Sequence, residues 1–251
     1  MLILLPPSEG KAATPRRGRP VDFSRLSLPA LTPVREKIVD AVAELCADPD
    51  PARPRAVLGL GPTQDDEIRR NAALRTTPAV PVATLYTGVL YDALGLATLD
   101  PAARRLANRS VLVFSGLWGA LRLTDRVPSY KCSIASTLPG IGGLTAFWRP
   151  SLGETLHSTG LVLDLRSGAY VPMWQPPAGR TVAVRVLQER DGRRTVVSHF
   201  NKATKGRMVR DLLSAGAAPR SAAALEAALR DLGYTVEAPA PGRLDVLVTS
   251  L

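Results

Sequence analysis

The chain has 251 residues and 45% hydrophobic content, enough for one large core or two small ones, and it contains no run of about eighteen apolar residues that would cross a bilayer. Its 32 Lys and Arg against 22 Asp and Glu give a net charge of +10, which makes a polyanionic partner a serious reading. Cys46 and Cys132 are too few for a disulfide framework, and the short apolar start has no basic region before it, so we expect a cytoplasmic protein without membrane association.

Leu2 to Leu5 form a continuous apolar run that reads as a short buried strand, ended by Pro6 and Pro7, which supply no ladder donor. The next residues, Ser8, Glu9, Gly10 and Lys11, are then a rigid exposed loop. Residues 12 to 33 are a coil, basic in "ATPRRGRP", expected to cross the surface and to be mobile unless bound. Val34, Ile38, Val42 and Leu45 mark an amphipathic helix over 33–47, with Pro33 near its start and "DPDPARP" as its stop. A second helix is expected over 64–74. Farther on, a helix from about Thr87 to Leu94, a turn at Gly95 and a helix opened by Asp100-Pro101 follow in close succession.

Val111 to Phe114 are the clearest strand, broken by Ser115-Gly116. "LVLDLRSGAY" at 161–170 repeats the arrangement, with Asp164 and Arg166 at the strand end and Ser167, Gly168 and Tyr170 beyond it. Two alternating arms around Asp191-Gly192 predict a hairpin. Helices near 206–213 and over 221–232 and a strand over 243–250 complete the chain. The sum is one α+β domain over residues 1–251, a mixed β-sheet with surrounding helices.

If the buried strands are parallel, the loops 6–11, 115–119 and 167–170 converge beyond their carboxyl ends, where open sheets hold ligands. "HFNKATKGRMVRDLL" carries Lys202, Lys205, Arg207 and Arg210 before any acid, and a helix starting near Gly206 would project both lysines from its positive end. His157 and His199, the two histidines, lie in no HExxH or triad pattern. No Walker or GxGxxG sequence is present, so no cofactor and no metal site are expected.

"LLPPSEGK", "LYTGVLYDAL", "SGLWGALRLTDRVPSYKCSI", the Phe147-Trp148 pair, "LDLRSGAY" and "HFNKATKGRMVRDLL" occur in an order and spacing that resembles the YaaA family of bacterial peroxide-stress proteins over nearly the whole chain. The resemblance implies a single α+β domain of unusual topology with a basic cleft and a helix-hairpin-helix-like element. It also implies double-stranded DNA as partner and a role in limiting damage where peroxide meets free iron. The positions that match the family's motifs are Lys11, Tyr86 with Gly88, the loop Ser115, Gly116, Leu117, Trp118 and Gly119, Tyr130 with Lys131, Phe147 with Trp148, Ser167 and Tyr170, and Lys202, Lys205, Gly206 and Arg210. The hairpin "LGLATLD" departs from the glycine-rich turn through which such elements meet phosphate.

Two functions follow as expectations. In the first, Lys11, Lys131, Lys202, Lys205, Arg207 and Arg210 bind duplex phosphates without reading bases. In the alternative, an enzyme acts on a nucleobase, nucleotide or other small anionic substrate: Lys11 and Lys205 hold the anion, Tyr130 or Glu9 is acid or base, and Ser115 and Ser167 orient the ligand. The cleft is expected to be lined by Ser8, Tyr86, Gly88, Ser115, Gly116, Trp118, Trp148 and Tyr170.

Overall fold

The N-terminal strand β1 (Leu2–Leu5) lies inside a sheet and pairs in parallel on both sides. Val111–Ser115 (β2) flanks it in the register Ile3 to Val111, and Val162–Asp164 (β4) flanks it in the register Leu4 to Asp164. Covered on both faces, β1 needs no polar alternation, and Ile3, Leu4 and Leu5 are wholly buried. In this computed structural model, which describes residues 1–190, 193–195 and 198–248, the sheet has eight strands and mixed direction.

Gly119–Arg122 (β3) closes one edge antiparallel to β2. On the other side Thr181–Arg190 (β5) runs parallel to β4, Arg243–Val248 (β8) runs parallel to β5, and Thr235–Ala240 (β7) closes that edge antiparallel to β8. The spatial order is β7, β8, β5, β4, β1, β2, β3, and the short Arg193–Thr195 (β6) pairs antiparallel with β5. The arms of the predicted hairpin are therefore present, although the second is three residues long; its turn at Asp191-Gly192 lies outside the described residues.

The helices are α1 (Thr32–Cys46), α2 (Ala52–Leu58), α3 (Asp65–Ala72), α4 (Val82–Leu85), α5 (Val89–Leu94), α6 (Pro101–Ser110), α7 (Leu144–Thr155), α8 (Ser198–Ser214) and α9 (Ala222–Asp231). Asp100 caps α6 as expected, accepting the Ala102 and Ala103 N–H groups at 2.7 and 3.0 Å, with Pro101 in the first turn. Gly95 ends α5 in the left-handed region at φ 57°. Two expectations need correction. "DPDPARP" stops α1 and at once opens α2, because Asp50 accepts the Ala52 N–H and Pro51 fits a helix start. The coil 12–33 is anchored in its second half, where Leu26 and Leu31 are buried and Asp125 accepts the Ser27 N–H at 2.7 Å.

The larger correction concerns α8, which begins at Ser198, two turns before Gly206. Lys202 and Lys205 therefore sit within the helix rather than at its positive end. Gly206 is interior because α8 crosses α5 there, and a Cβ on it would overlap the Leu90 carbonyl oxygen and stand 2.9 Å from the Ala93 Cβ. Close approach, not helix termination, accounts for this glycine.

Candidate functional site

Because β1, β2 and β4 are parallel, their following segments leave the sheet on one side, as the convergence argument requires. From β1 the chain continues toward β2, whereas β4 leads away to β5, so the connections diverge and open a crevice between the first and third segments. A cleft of about 360 Å³ lies there, lined by 6–11, 87–91, 130–134, Ser167, Ala169, Tyr170 and Lys202. The loop after β1 is held rigid by backbone: Ala12 N–H donates to the Leu85 carbonyl at 2.8 Å, and Thr87 N–H to that of Gly10 at 3.2 Å. A Cβ on Gly10 would stand 2.9 Å from the Thr87 hydroxyl oxygen. Tyr91 donates to the Pro6 carbonyl at 2.6 Å and fixes the turn out of β1.

Lys11 projects into this cleft over an aromatic floor. Its Nζ lies 4.4 Å from the centre of the Tyr130 ring and 5.8 Å from that of Tyr86, and it donates to the Ser8 carbonyl at 3.2 Å. No carboxylate pairs with it among the described residues. Burial, reinforced by the nearby Lys131 charge, brings its pKa down to about 8. Lys131 forms an ion pair with Glu9, whose carboxylate reaches in from solvent with 85% of its side chain exposed. That bond, with Lys11 and Lys202 adding attraction, holds the Glu9 carboxyl below the usual range. Lys202 is exposed on the rim.

Beneath the floor runs a chain of hydroxyls. Tyr86 and Tyr130 share a hydrogen bond of 2.9 Å, Tyr130 and Ser115 one of 2.6 Å, and the Trp118 N–H donates to the Ser115 Oγ at 3.1 Å. Burial pushes the Tyr86 hydroxyl up to about 12 and Tyr130 well above its ordinary value, so both stay protonated.

The expected residues divide into those the cleft brings together and those it does not. Ser8, Glu9, Lys11, Gly88, Tyr130, Lys131, Ser167, Tyr170 and Lys202 line it. Tyr86, Ser115, Gly116, Trp118 and Trp148 do not: the 115–119 segment turns straight back into β3 and is covered. Trp148 donates to the Gly116 carbonyl at 2.8 Å, and its ring fills the space where Gly119, at φ 72°, would carry a Cβ. These residues support the floor. Lys205 is half-buried beside Asp164 and outside the lining, and burial lowers its pKa. Arg210 donates to the Leu94 and Gly95 carbonyls at 3.1 and 2.9 Å and so ties α8 to the hairpin between α5 and α6. Arg207 is exposed, apart from the lining.

Asp164 and Arg166, at the end of the strand as expected, are buried and form a bidentate pair with bonds of 2.9 and 2.6 Å. Arg166 also donates to the Trp174 and Tyr170 carbonyls, at 2.9 and 3.2 Å, so the pair shapes the segment that carries Tyr170. Sequence reasoning missed Arg35, buried in α1, which donates to the carbonyls of Ser27, Trp118 and Ala120 and pins the floor to α1. Its spacing on the apolar face of α1 was the available signal: Arg35 falls one turn before Val39 and two before Val42. A wider hollow of about 590 Å³ contains His157 and Arg149, and Arg149 already donates to the Pro172 carbonyl at 3.2 Å.

A family model described as "Peroxide stress protein YaaA" matches residues 1–240. A UPF0246 protein of Streptomyces coelicolor is 55% identical over 260 aligned positions, covering 99% of this chain and 98% of that protein. One from Corynebacterium efficiens is 41% identical, covering 94% of this chain and 95% of that protein. A more distant UPF0246 protein of Cereibacter sphaeroides is 29% identical, with 84% and 85% covered.

Proposed function

The chain belongs to the YaaA family of peroxide stress proteins, and from that premise we propose that it binds duplex DNA without sequence preference and thereby limits iron-linked damage during peroxide stress. The observation that carries this reading is a set of exposed cations without carboxylate partners among the described residues. Arg16, Arg17 and Arg19 follow the Lys11 loop, and Lys202 and Arg207 stand on α8. Such side chains can meet phosphates without first breaking an ion pair, and each phosphate neutralised releases counterions. Base reading is not required, since phosphate contacts position a protein on DNA without specifying sequence.

Lys131 at the cleft mouth adds to this surface once Glu9 gives way. Arg210 contributes less, because its Nη1 is held by the Leu94 and Gly95 carbonyls. The cations are on the rim and the adjacent coil, and the duplex lies across the mouth rather than in the cleft.

Titration of a labelled duplex across a range of salt tests the reading. Affinity falls steeply with salt, and the double change Lys202→Ala with Arg207→Ala weakens binding equally on unrelated sequences while reducing the slope of log affinity against log salt by about 2. A flat salt dependence, or retention of full affinity by the double variant, overturns it.

A further inference from the structure

The duplex-binding surface leaves the interior of the cleft without a role. We propose that the cleft takes a small anionic carbonyl compound, a 2-oxo acid or a phosphorylated aldehyde, and that the Lys11 amine adds to its carbonyl carbon while Lys131 and Lys202 hold its charge. This inference does not depend on duplex binding. Its first support is position: the cleft occupies the crevice where the connections after β1 and β4 diverge, the place where open sheets hold small ligands. A volume of about 360 Å³ suits a small molecule and excludes a duplex. Pro6, Pro7, Leu90 and Ile134 give it apolar walls, with the charged groups grouped at Lys11, Lys131 and Lys202.

The second support is the choice of cation. Lysine supplies 5 of the 32 cationic side chains and arginine the other 27, yet every cation that lines the cleft is a lysine. Arginine would grip an anion at least as well, through a planar fork of donors. What lysine has and arginine lacks is an amine able to give up its proton. Lys11 is the one placed to do so: half-buried, without a carboxylate partner among the described residues, over two tyrosine rings, and beside a second ammonium. Desolvation next to another cation is the arrangement that turns a lysine into a nucleophile for carbonyl substrates.

The chemistry balances without an oxidant or reductant. The Nζ lone pair forms a C–N bond as the C=O π bond opens, and one amine proton passes to the oxygen to give a carbinolamine. Loss of the hydroxyl with the second amine proton as water leaves a C=N bond. Hydrolysis of that imine returns the free amine.

Pyridoxal 5′-phosphate, an anionic aldehyde with an aromatic body, is the probe. The full chain is treated with a limiting amount at pH 7.5, reduced with borohydride, and mapped by peptide mass spectrometry. With Lys11 near 8 against 10.5 for an ordinary lysine, its amine fraction is about 300-fold larger near neutrality. Modification of Lys11 at least tenfold faster than of Lys37, an exposed lysine of α1, is the expected result. Pyridoxal lacking the phosphate, and the Lys131→Met variant, should each slow the Lys11 reaction by roughly tenfold. Lys11→Arg should remove the labelled peptide and leave the labelling of Lys37 unchanged. Equal rates at Lys11 and Lys37 in the unaltered protein overturn the proposal whatever the variants do, as does a Lys11 rate indifferent to the phosphate.

Discussion

Lys11 and Tyr130 show how far single residues are committed by their surroundings. The folded chain depresses the Lys11 pKa to about 8, so between there and 10.5 the unfolded chain binds more protons than the native one. Stability attributable to this residue therefore rises as pH increases through that window and is lowest below 8, where the half-buried ammonium stays charged. Its titratable neighbours are Lys131, Glu9, Glu67, Cys132, Tyr130 and Tyr86. Urea melts at pH 7.5 and 10 should show the wild type gaining on the order of 1–2 kcal/mol relative to Lys11→Met, which lacks the titration. Tyr130 joins Tyr86 to Ser115, so Tyr130→Phe leaves the buried Tyr86 hydroxyl without that partner. A loss of about 1–3 kcal/mol in the same melts is expected, and Ser115→Ala should cost a similar amount because it leaves the buried Trp118 backbone N–H without its acceptor.

Among the elements, α5 and α8 form the most extensive helix pair, and two devices hold them together. Gly206 lets the backbones approach, and Arg210 supplies donors to the carbonyl end of α5. Gly206→Ala puts a methyl into the Leu90 carbonyl, a backbone atom that cannot swing aside, and should cost about 2–3 kcal/mol by thermal melting. Arg210→Ala strips the donors from the Leu94 and Gly95 carbonyls and should cost about 1–3 kcal/mol. Duplex affinity measured well below the melting temperature should be little changed by Arg210→Ala. An affinity loss matching that of Lys202→Ala would instead return Arg210 to the phosphate surface.

At the scale of the molecule, the strands of one sheet come from both ends of the chain: β1 from residues 2–5 sits between β2 and β4, and β8 from 243–248 is joined through β5. Removing β1 would expose the two fully buried strands that flank it, β2 and β4. We expect one cooperative thermal transition, superimposable by far-ultraviolet dichroism and tryptophan fluorescence; two separated midpoints would divide the chain into independent units. Among the described residues no helix is long and apolar enough to cross a membrane. The DNA reading makes its own prediction at this scale. Supercoiled plasmid exposed to ferrous iron and peroxide should be nicked less in the presence of the protein, and the Lys202, Arg207 double variant should give back most of that protection.

The sequence by itself determined the strands at 2–5, 111–115 and 162–164, the amphipathic α1, and the capped start of α6. In each the signal is local: an unbroken apolar run, a 3.6-residue stripe, or an aspartate before a proline. It also named most of the cleft, because prolines, glycines and charges at strand ends are local features too. The tertiary structure alone decided which of those residues face the cleft. Ser115 and Trp118 read like Ser8 and Tyr170, but β3 folds back over them and makes them floor. Arg210 and Lys202 share one basic segment, and only the crossing of α5 turns the first into a brace and leaves the second on the rim. The apolar stripe of Met208, Val209 and Leu212 places the start of α8 near Gly206, and the close interhelical contact that this glycine serves is invisible until both helices are placed. Local preferences select elements; burial and approach distance, which depend on residues more than a hundred positions away, assign the side chains their work.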